Sequence, residues 1–294
     1  MRTVFLGTSE FAAAVLERLA GSQHRPQLVV TRPDRPRGRG RRVAPPPVAE
    51  RARALGIELA QPESVNDEGA RERIAAAAPE AVCVCAFGAL IREPLLSEHL
   101  MLNVHPSLLP RWRGAAPIER AIMAGDERTG VSIMRVTAGL DSGPVYLADD
   151  EPIGPEDTYG TLSARLERLG GDLLVTALED LPSPTDQDDS QATYAEKITS
   201  ADRRLDPSRS AAELERVVRG LTPHIGALVE LDGGPPLGVR EARVLADGPA
   251  AGALSLEGKR PVLGCADGAL ELVVVHPPGR RPMGGEDWLR GLRR

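Results

Sequence analysis

Along the first part of the chain, short apolar runs alternate with segments that have an amphipathic pattern. The runs at residues 2–6 and 27–31 are short and rich in strand-forming residues, and the run at 81–86 is continuously apolar, as in a strand that is buried on both faces. Between them, apolar residues recur at a spacing of three or four, which is typical of helices. Strands that alternate with helices predict an α/β domain with a Rossmann-like, mostly parallel sheet.

The pattern changes in the last third of the chain. Residues 181–191 lose apolar content and gain proline, serine and aspartate, which is typical of a linker. Beyond them, one helical segment precedes several short strands that are separated by glycine and proline. This spacing predicts a small β-barrel. We therefore expect an α/β domain over residues 1–180, a linker over 181–204 and a barrel domain over 205–294.

Length and composition exclude several classes of protein. No apolar run approaches the roughly 20 residues that cross a bilayer, and the first residues lack the features of a signal peptide. The three cysteines are too few and odd in number for a disulfide framework. We expect a cytoplasmic, monomeric protein that has no contact with membranes.

Positive charge is concentrated in one segment of an acidic chain. The formal net charge is -6, which is unusual for a nucleic-acid-binding protein. In RPDRPRGRGRR, however, five arginines lie within eight residues: Arg35, Arg37, Arg39, Arg41 and Arg42. From composition alone, this arginine segment is either a solvated loop or a local surface for phosphate groups.

An amide and an imidazole lie at the end of a predicted strand. Asn103 and His105 are two residues apart, so their side chains point to the same side of the strand. Ligands of parallel sheets bind at the carboxyl ends of strands. A preorganised amide N–H stabilises an oxygen that becomes negative, and an imidazole moves protons near neutral pH. The pair therefore resembles half of an acyl-transfer site.

A carboxylate is the expected third member of such a site. Asp141 lies in TAGLDSGPV, a glycine-containing loop between two predicted strands. A histidine after a strand is more often structural than catalytic, so the spacing alone leaves both roles open. The remaining histidines have no metal-ligand spacing with the cysteines, and no metal is expected. Cys83 and Cys85 are interpreted as core residues.

Several motifs resemble those of the methionyl-tRNA formyltransferases, a folate-dependent enzyme family. They are FLGTSEFA (5–12), RPDRPRGRG (32–40), AFGALI (86–91), LNVHPSLLPRWRGAAPI (102–118), AGLDSGPV (138–145), YAEKI (194–198) and SAAELERVVRGLTP (210–223). The long motif is specific for folate-dependent formyl transfer, and the arginine segment narrows the resemblance to the tRNA enzymes. The resemblance covers nearly the whole chain and implies a formyltransferase domain followed by an OB-like barrel.

The resemblance also implies roles for individual residues. The catalytic trio would be Asn103, His105 and Asp141. The folate site would comprise Ser107, Leu108, Leu109, Pro110, Phe87, Gly88, Gly139 and Leu140. The arginine segment would contact the acceptor end of tRNA, with Arg39 at the matching arginine of the family. The barrel would also contact tRNA.

The implied reaction moves a formyl group from 10-formyltetrahydrofolate to the α-amino group of methionyl initiator tRNA. Asn103 would bind the developing oxyanion, His105 would transfer protons, and Asp141 would hold the imidazole. A metal or a covalent enzyme intermediate is not required.

Other functions fit part of the pattern. A sugar-nucleotide formyltransferase, a formyl-folate hydrolase or a glycinamide ribonucleotide formyltransferase would carry the same trio. The last lacks a second domain, and the others do not need the arginine segment. A non-catalytic folate-binding module is the alternative outside enzymes. The opening GTSEFA lacks the G-x-G-x-x-G motif, which argues against NAD binding.

Overall fold

The computed structural model describes residues 1–37, 42–231 and 233–292, with only the main chain of Arg37 and Arg42. The described residues form two compact units. The first comprises Met1–Gly114, Arg128–Pro152 and Ser163–Tyr194, and the second comprises Ala115–Glu127, Ile153–Leu162 and Ala195–Arg294. None of the described helices combines the length and apolar character of a membrane span.

A seven-stranded sheet forms the centre of the first unit. In chain order, the first ten strands of the described residues are β1 (Thr3–Gly7), β2 (Pro26–Val30), β3 (Arg35–Arg37), β4 (Arg42–Ala44), β5 (Glu58–Ala60), β6 (Ala81–Cys85), β7 (Met101–His105), β8 (Arg113–Gly114), β9 (Arg128–Arg135) and β10 (Val145–Pro152). All of them except β3, β4 and β8 belong to this sheet. The sheet order is β10-β9-β7-β6-β1-β2-β5. From β5 to β7 all neighbours are parallel, whereas β9 and β10 form an antiparallel hairpin at the edge. The predicted Rossmann-like class is confirmed.

The described residues also form helices in both units. The helices are α1 (Glu10–Ala20), α2 (Pro47–Ala54), α3 (Glu68–Ala76), α4 (Leu95–Glu98), α5 (Pro117–Ala124), α6 (Tyr159–Asp180), α7 (Ala211–Gly220) and α8 (Gly285–Leu292), with a 3₁₀ turn at Asp189–Gln191. Ser9 caps α1 by accepting a hydrogen bond from the Ala12 N–H at 3.2 Å. The residues Phe11, Val15 and Leu16 of α1 are buried, as the periodicity predicts.

The sheet interior explains why its central strands are so apolar. All five residues of β1 and all five of β6 are buried, so neither strand shows the alternation of a half-exposed strand. These strands are parallel to β7, and their carboxyl ends therefore lie at the same edge of the sheet as His105. The edge that the sequence pattern predicted for ligand binding is the edge where β7 ends.

The second unit contains a curled antiparallel sheet. After β11 (Tyr194–Ala195), its strands are β12 (Ala227–Val229), β13 (Leu237–Leu245), β14 (Leu254–Ser255), β15 (Val262–Gly264), β16 (Ala269–His276) and β17 (Met283–Gly284). Their order is β12-β13-β16-β15-β14, with β17 also on β16. Register shifts around Glu241 bend the long strand β13, as bulges do. The predicted small barrel-like domain is confirmed.

Helix α7 closes the core of the second unit. Its residues Leu214 and Val218 pack with Leu270 and Leu272 of β16, and Trp288 of α8 completes the same cluster. A capping box begins the helix, because Ser210 and Glu213 satisfy each other's main-chain N–H groups. The barrel domain therefore has an apolar core of its own.

The arginine segment and the last helix differ from the pattern-based expectation. The arginine segment was expected to be a loop, yet β3 and β4 pair as an antiparallel ladder, with Arg35 opposite Ala44 and Pro36 opposite Val43. Helix α8 was not anticipated, because glycines and charged residues interrupt its short apolar pattern. The proposed boundaries at 180 and 204 stay a prediction.

All three cysteines are buried and free. Burial raises the pKa of Cys83 to about 12, and burial also raises the pKa values of the Cys85 and Cys265 thiols. A neutral thiol is a poor nucleophile.

We expect a disulfide reagent at pH 8 to leave the folded protein unlabelled and to label all three thiols in guanidinium chloride. Rapid labelling of the native protein would contradict this burial.

Candidate active site

Strand β7 delivers an amide and an imidazole to the carboxyl edge of the sheet. Asn103 lies opposite Val84 of β6 and Met134 of β9, and His105 lies opposite Ser132 of β9. Asn103 is half-buried, and within the described part of the chain its amide makes no hydrogen bond. The amide is therefore open to a ligand.

His105 is held between a carbonyl oxygen and a carboxylate. His105 is 4% exposed. Its Nε2 lies 2.9 Å from the Trp112 carbonyl oxygen, and its Nδ1 lies 3.7 Å from Oδ2 of Asp141. A carbonyl oxygen only accepts hydrogen bonds, so Nε2 carries a proton in both charge states of the ring. The proton that the ring gains or loses is therefore on Nδ1, on the side of Asp141.

Asp141 lies in the loop between β9 and β10. Its Oδ2 accepts a hydrogen bond from the Gly114 N–H at 2.9 Å, and its φ of 45° is in the left-handed region. Gly143 allows the loop to close, because a Cβ there would collide with the Arg135 carbonyl oxygen. The structure thus brings Asp141 to His105, as the sequence-based hypothesis requires.

The SLLP segment forms a turn that is tied to β9. The Ser107 hydroxyl donates to the Arg111 carbonyl at 2.6 Å. The Ser132 hydroxyl donates to the Ser107 carbonyl at 2.8 Å and accepts from the Leu109 N–H at 3.1 Å. Ser107 is fully buried, whereas the side chains of Leu108, Leu109 and Pro110 are half-buried. Ser107 therefore stabilises the turn, and the following residues present the accessible surface.

The remaining predicted folate residues lie in two other loops. The Phe87 carbonyl accepts from Thr8 at 2.7 Å, and the Gly88 carbonyl accepts from Arg32 at 2.6 Å. Gly139 and Leu140 are exposed, and no hydrogen bond from the described residues reaches their main chain. Free main-chain donors and acceptors suit a heterocycle with polar edges, such as a pterin.

The structure describes only part of the arginine segment. Arg35 is exposed and lies 3.4 Å from Glu63, and the main chains of Arg37 and Arg42 face each other in the β3–β4 ladder. Arg39 and Arg41 lie outside the described residues. The tRNA role of these five arginines stays a prediction.

Sequence reasoning missed four groups that orient the candidate site residues. Two of them are main-chain groups, the Trp112 carbonyl and the Gly114 N–H, which no side-chain pattern reveals. A third is Ser132, whose place in an apolar strand was the available signal. The fourth is Gln187, whose amide donates to the Asp141 and Gly143 carbonyls and which lies in a polar segment without a recognisable pattern.

Two parts of the sequence match known protein families. Residues 1–178 match the family described as Formyl transferase, and residues 197–293 match Formyl transferase, C-terminal domain. A methionyl-tRNA formyltransferase of Cereibacter sphaeroides is 43% identical over 296 residues, which cover 99% of this chain and 96% of that protein.

Two solved structures have a similar fold. HypX from Aquifex aeolicus, in complex with tetrahydrofolic acid, superposes with a TM-score of 0.66 at 17% identity, over 98% of this chain and 47% of HypX. This chain therefore spans about half the length of HypX. The N-formyltransferase from Helicobacter canadensis, in complex with folinic acid and dTDP-3-aminofucose, gives a TM-score of 0.68 at 12% identity, over 92% of this chain and 99% of that one. At these identities the similarity establishes the fold alone.

The two family matches cover most of the chain, and the Cereibacter relative extends over almost all of it. On the structure, the matched segments coincide with the parallel sheet that carries His105 and with the curled sheet of the second unit. The chain belongs to the formyl transferase family.

Proposed function

We propose that this protein transfers the formyl group of 10-formyltetrahydrofolate to the α-amino group of methionyl initiator tRNA. The observation that carries the proposal is the pairing of His105 with Asp141 at the end of β7, on the strand that also presents the Asn103 amide. The 43% identity to a methionyl-tRNA formyltransferase along the whole chain supports this choice of acceptor.

Asn103 is proposed to stabilise negative charge on the formyl oxygen. When the amine attacks the formyl carbon, the carbonyl oxygen becomes an oxyanion. The Asn103 amide has no hydrogen bond to any other described residue, so its N–H groups are available at this moment. A preorganised donor of this kind is worth about 3–4 kcal/mol.

His105 is proposed to move the proton at Nδ1. Nε2 stays bonded to the Trp112 carbonyl, so Nδ1 accepts the proton that the attacking amine loses. The Asp141 carboxylate, 3.7 Å away, stabilises the imidazolium that results. As the bond between the formyl carbon and the donor nitrogen breaks, Nδ1 returns the proton to that nitrogen. Protons and bonds balance without an external acid or base.

The nearby side chains argue for direct transfer between the two substrates. The Ser107 hydroxyl donates a hydrogen bond to the Arg111 carbonyl, and the three cysteine thiols are buried and neutral. None of these groups is an activated nucleophile. We therefore infer that the protein positions the amine and the formyl donor without forming a covalent link to the formyl group.

The folate donor fits the loops at the carboxyl edge. The main chain of Gly139 and Leu140 has free polar groups, and Leu140 is 62% exposed. Leu108 and Leu109 add half-buried apolar surface. The folate supplies the formyl group on its N10 nitrogen, and the loops of this chain hold the pterin through main-chain contacts and apolar packing.

The acceptor class can be tested directly. The purified protein is incubated with 10-formyltetrahydrofolate and either methionyl initiator tRNA or an amino-sugar nucleotide. We expect formylation of the tRNA alone. His105→Ala should lower kcat by about 100-fold or more, because general acid-base catalysis contributes that much, and should retain folate binding. Formylation of the sugar nucleotide alone would contradict the acceptor, and folate binding with no transfer would identify a binding module.

The arginine segment is proposed to contact phosphates of the tRNA acceptor end. Replacement of Arg39 and Arg41 by alanine should weaken the use of tRNA and flatten its salt dependence, because each lost phosphate contact lowers the slope by about 0.9. Folate binding should not change. The matched control is Arg71→Ala with Arg73→Ala, which removes two arginines that pair with Glu98 and Glu58 on the surface. Equal salt slopes for both double variants would refute the role.

A further inference from the structure

Gln187 holds the main chain at Asp141 and two residues beyond it. Its Nε2 donates to the carbonyl oxygens of Asp141 at 2.9 Å and Gly143 at 2.6 Å. Its Oε1 accepts from Nε and Nη2 of Arg113 at 3.0 and 2.9 Å. A guanidinium only donates and carbonyls only accept, so one orientation of the amide satisfies all four hydrogen bonds. The amide is therefore fixed in position and direction.

Arg113 anchors this amide from inside the first unit. The arginine is 4% exposed, and its charge is balanced by Asp189, whose carboxylate lies 2.6 Å from Nη2. Burial of a cation is costly unless it is paired and hydrogen-bonded. Because Arg113 fulfils both conditions, it provides a rigid support for Gln187.

The anchor is adjacent in sequence to both groups that orient the catalytic pair. The residue before Arg113 is Trp112, whose carbonyl accepts from His105, and the residue after it is Gly114, whose N–H donates to Asp141. The side chain of Arg113 reaches the main chain of Asp141 through Gln187. His105 and Asp141 are therefore linked by a closed ring of contacts in addition to their direct approach.

The Asp141 loop needs such support. A φ of 45° is uncommon for a residue other than glycine and persists only where its surroundings impose it. The neighbouring residues Gly139 and Leu140 are exposed and receive no hydrogen bond from the described residues. Loss of the Gln187 donors would free the carbonyls of Asp141 and Gly143 and allow the Asp141 carboxylate to move away from His105.

We propose that Gln187 is a positioning residue for formyl transfer, which sets the place of Asp141 opposite His105 and is itself anchored by Arg113. The inference rests on the proposed function, because Asp141 has its catalytic role only there. Gln187 lies in the segment that was predicted as a linker. The inference therefore assigns part of that segment to the active site.

The test compares Gln187→Ala and Gln187→Glu with Gln191→Ala. Gln191 is the matched control, because it lies in the same segment, is exposed, and bonds through its amide to Asp188. With active sites counted by folate binding, both Gln187 variants should lose about 10- to 100-fold in kcat with little change in KM, since a misplacement near 1 Å costs that much. In Gln187→Glu, one carboxylate oxygen can still accept from Arg113, and the other takes the place of the Nε2 donor opposite the two carbonyls. The size of the side chain is kept, so this variant shows the effect of losing the donors without a loss of packing.

A double-mutant cycle with Asp141→Asn separates positioning from general stability. If Gln187 acts through Asp141, adding Gln187→Ala to Asp141→Asn should cause little further loss of kcat. A full, additive loss, or wild-type kcat in both Gln187 variants, would overturn the inference. If Gln187→Ala does not fold, Gln187→Glu takes its place in the cycle.

Hydrogen exchange gives a result that does not depend on activity. Amides of residues 139–143 should exchange faster in the Gln187 variants than in wild type or Gln191→Ala. Unchanged exchange would overturn the positioning role even if the wild-type protein transferred no formyl group. Faster exchange in a protein without transferase activity would instead support the positioning role and refute the proposed function.

Discussion

The proposed active site depends on the fixation of one imidazole ring between two oxygen atoms. The Trp112 carbonyl holds Nε2 of His105, and the Asp141 carboxylate faces Nδ1. This arrangement leaves a single nitrogen for proton exchange and places a negative charge beside it. A base whose proton moves at one defined position can serve the attacking amine and the leaving nitrogen in turn, which is the chemical requirement of formyl transfer.

The surrounding fold keeps these oxygens in place. Strand β7 is fixed in register between β6 and β9, so the position of His105 follows from the sheet itself. Asp141 has no such support, because its loop begins and ends in an edge hairpin. Its position depends on individual hydrogen bonds from Gly114 and Gln187. The site therefore combines a rigid member with one that is held by local contacts, and the second is the more sensitive to substitution.

Sequence reasoning predicted the parts of the protein that side-chain patterns encode. Buried strands such as β1 and β6 are continuous apolar runs, and the spacing of Asn103 and His105 placed both at a strand end. The main-chain groups that orient His105 and Asp141 could not be predicted, because a carbonyl and an N–H are present in almost every residue. Gln187 could not be predicted either, since its contacts with Arg113 and Asp141 are 74 and 46 residues distant in sequence. The β3–β4 ladder formed where arginine, proline and glycine gave no strand pattern.

The protonation of His105 tests the central claim most directly. Nitrogen-15 spectra of the five histidines, with His105→Gln used to assign the signals, would follow each ring nitrogen between about pH 5 and pH 9. We predict that Nε2 of His105 carries a proton and has the chemical shift of a nitrogen that donates to a carbonyl, and that Asp141→Asn alters the signal of Nδ1 and leaves that of Nε2 unchanged. A His105 ring that loses its proton from Nε2 would contradict the proposed orientation and the proton path that follows from it.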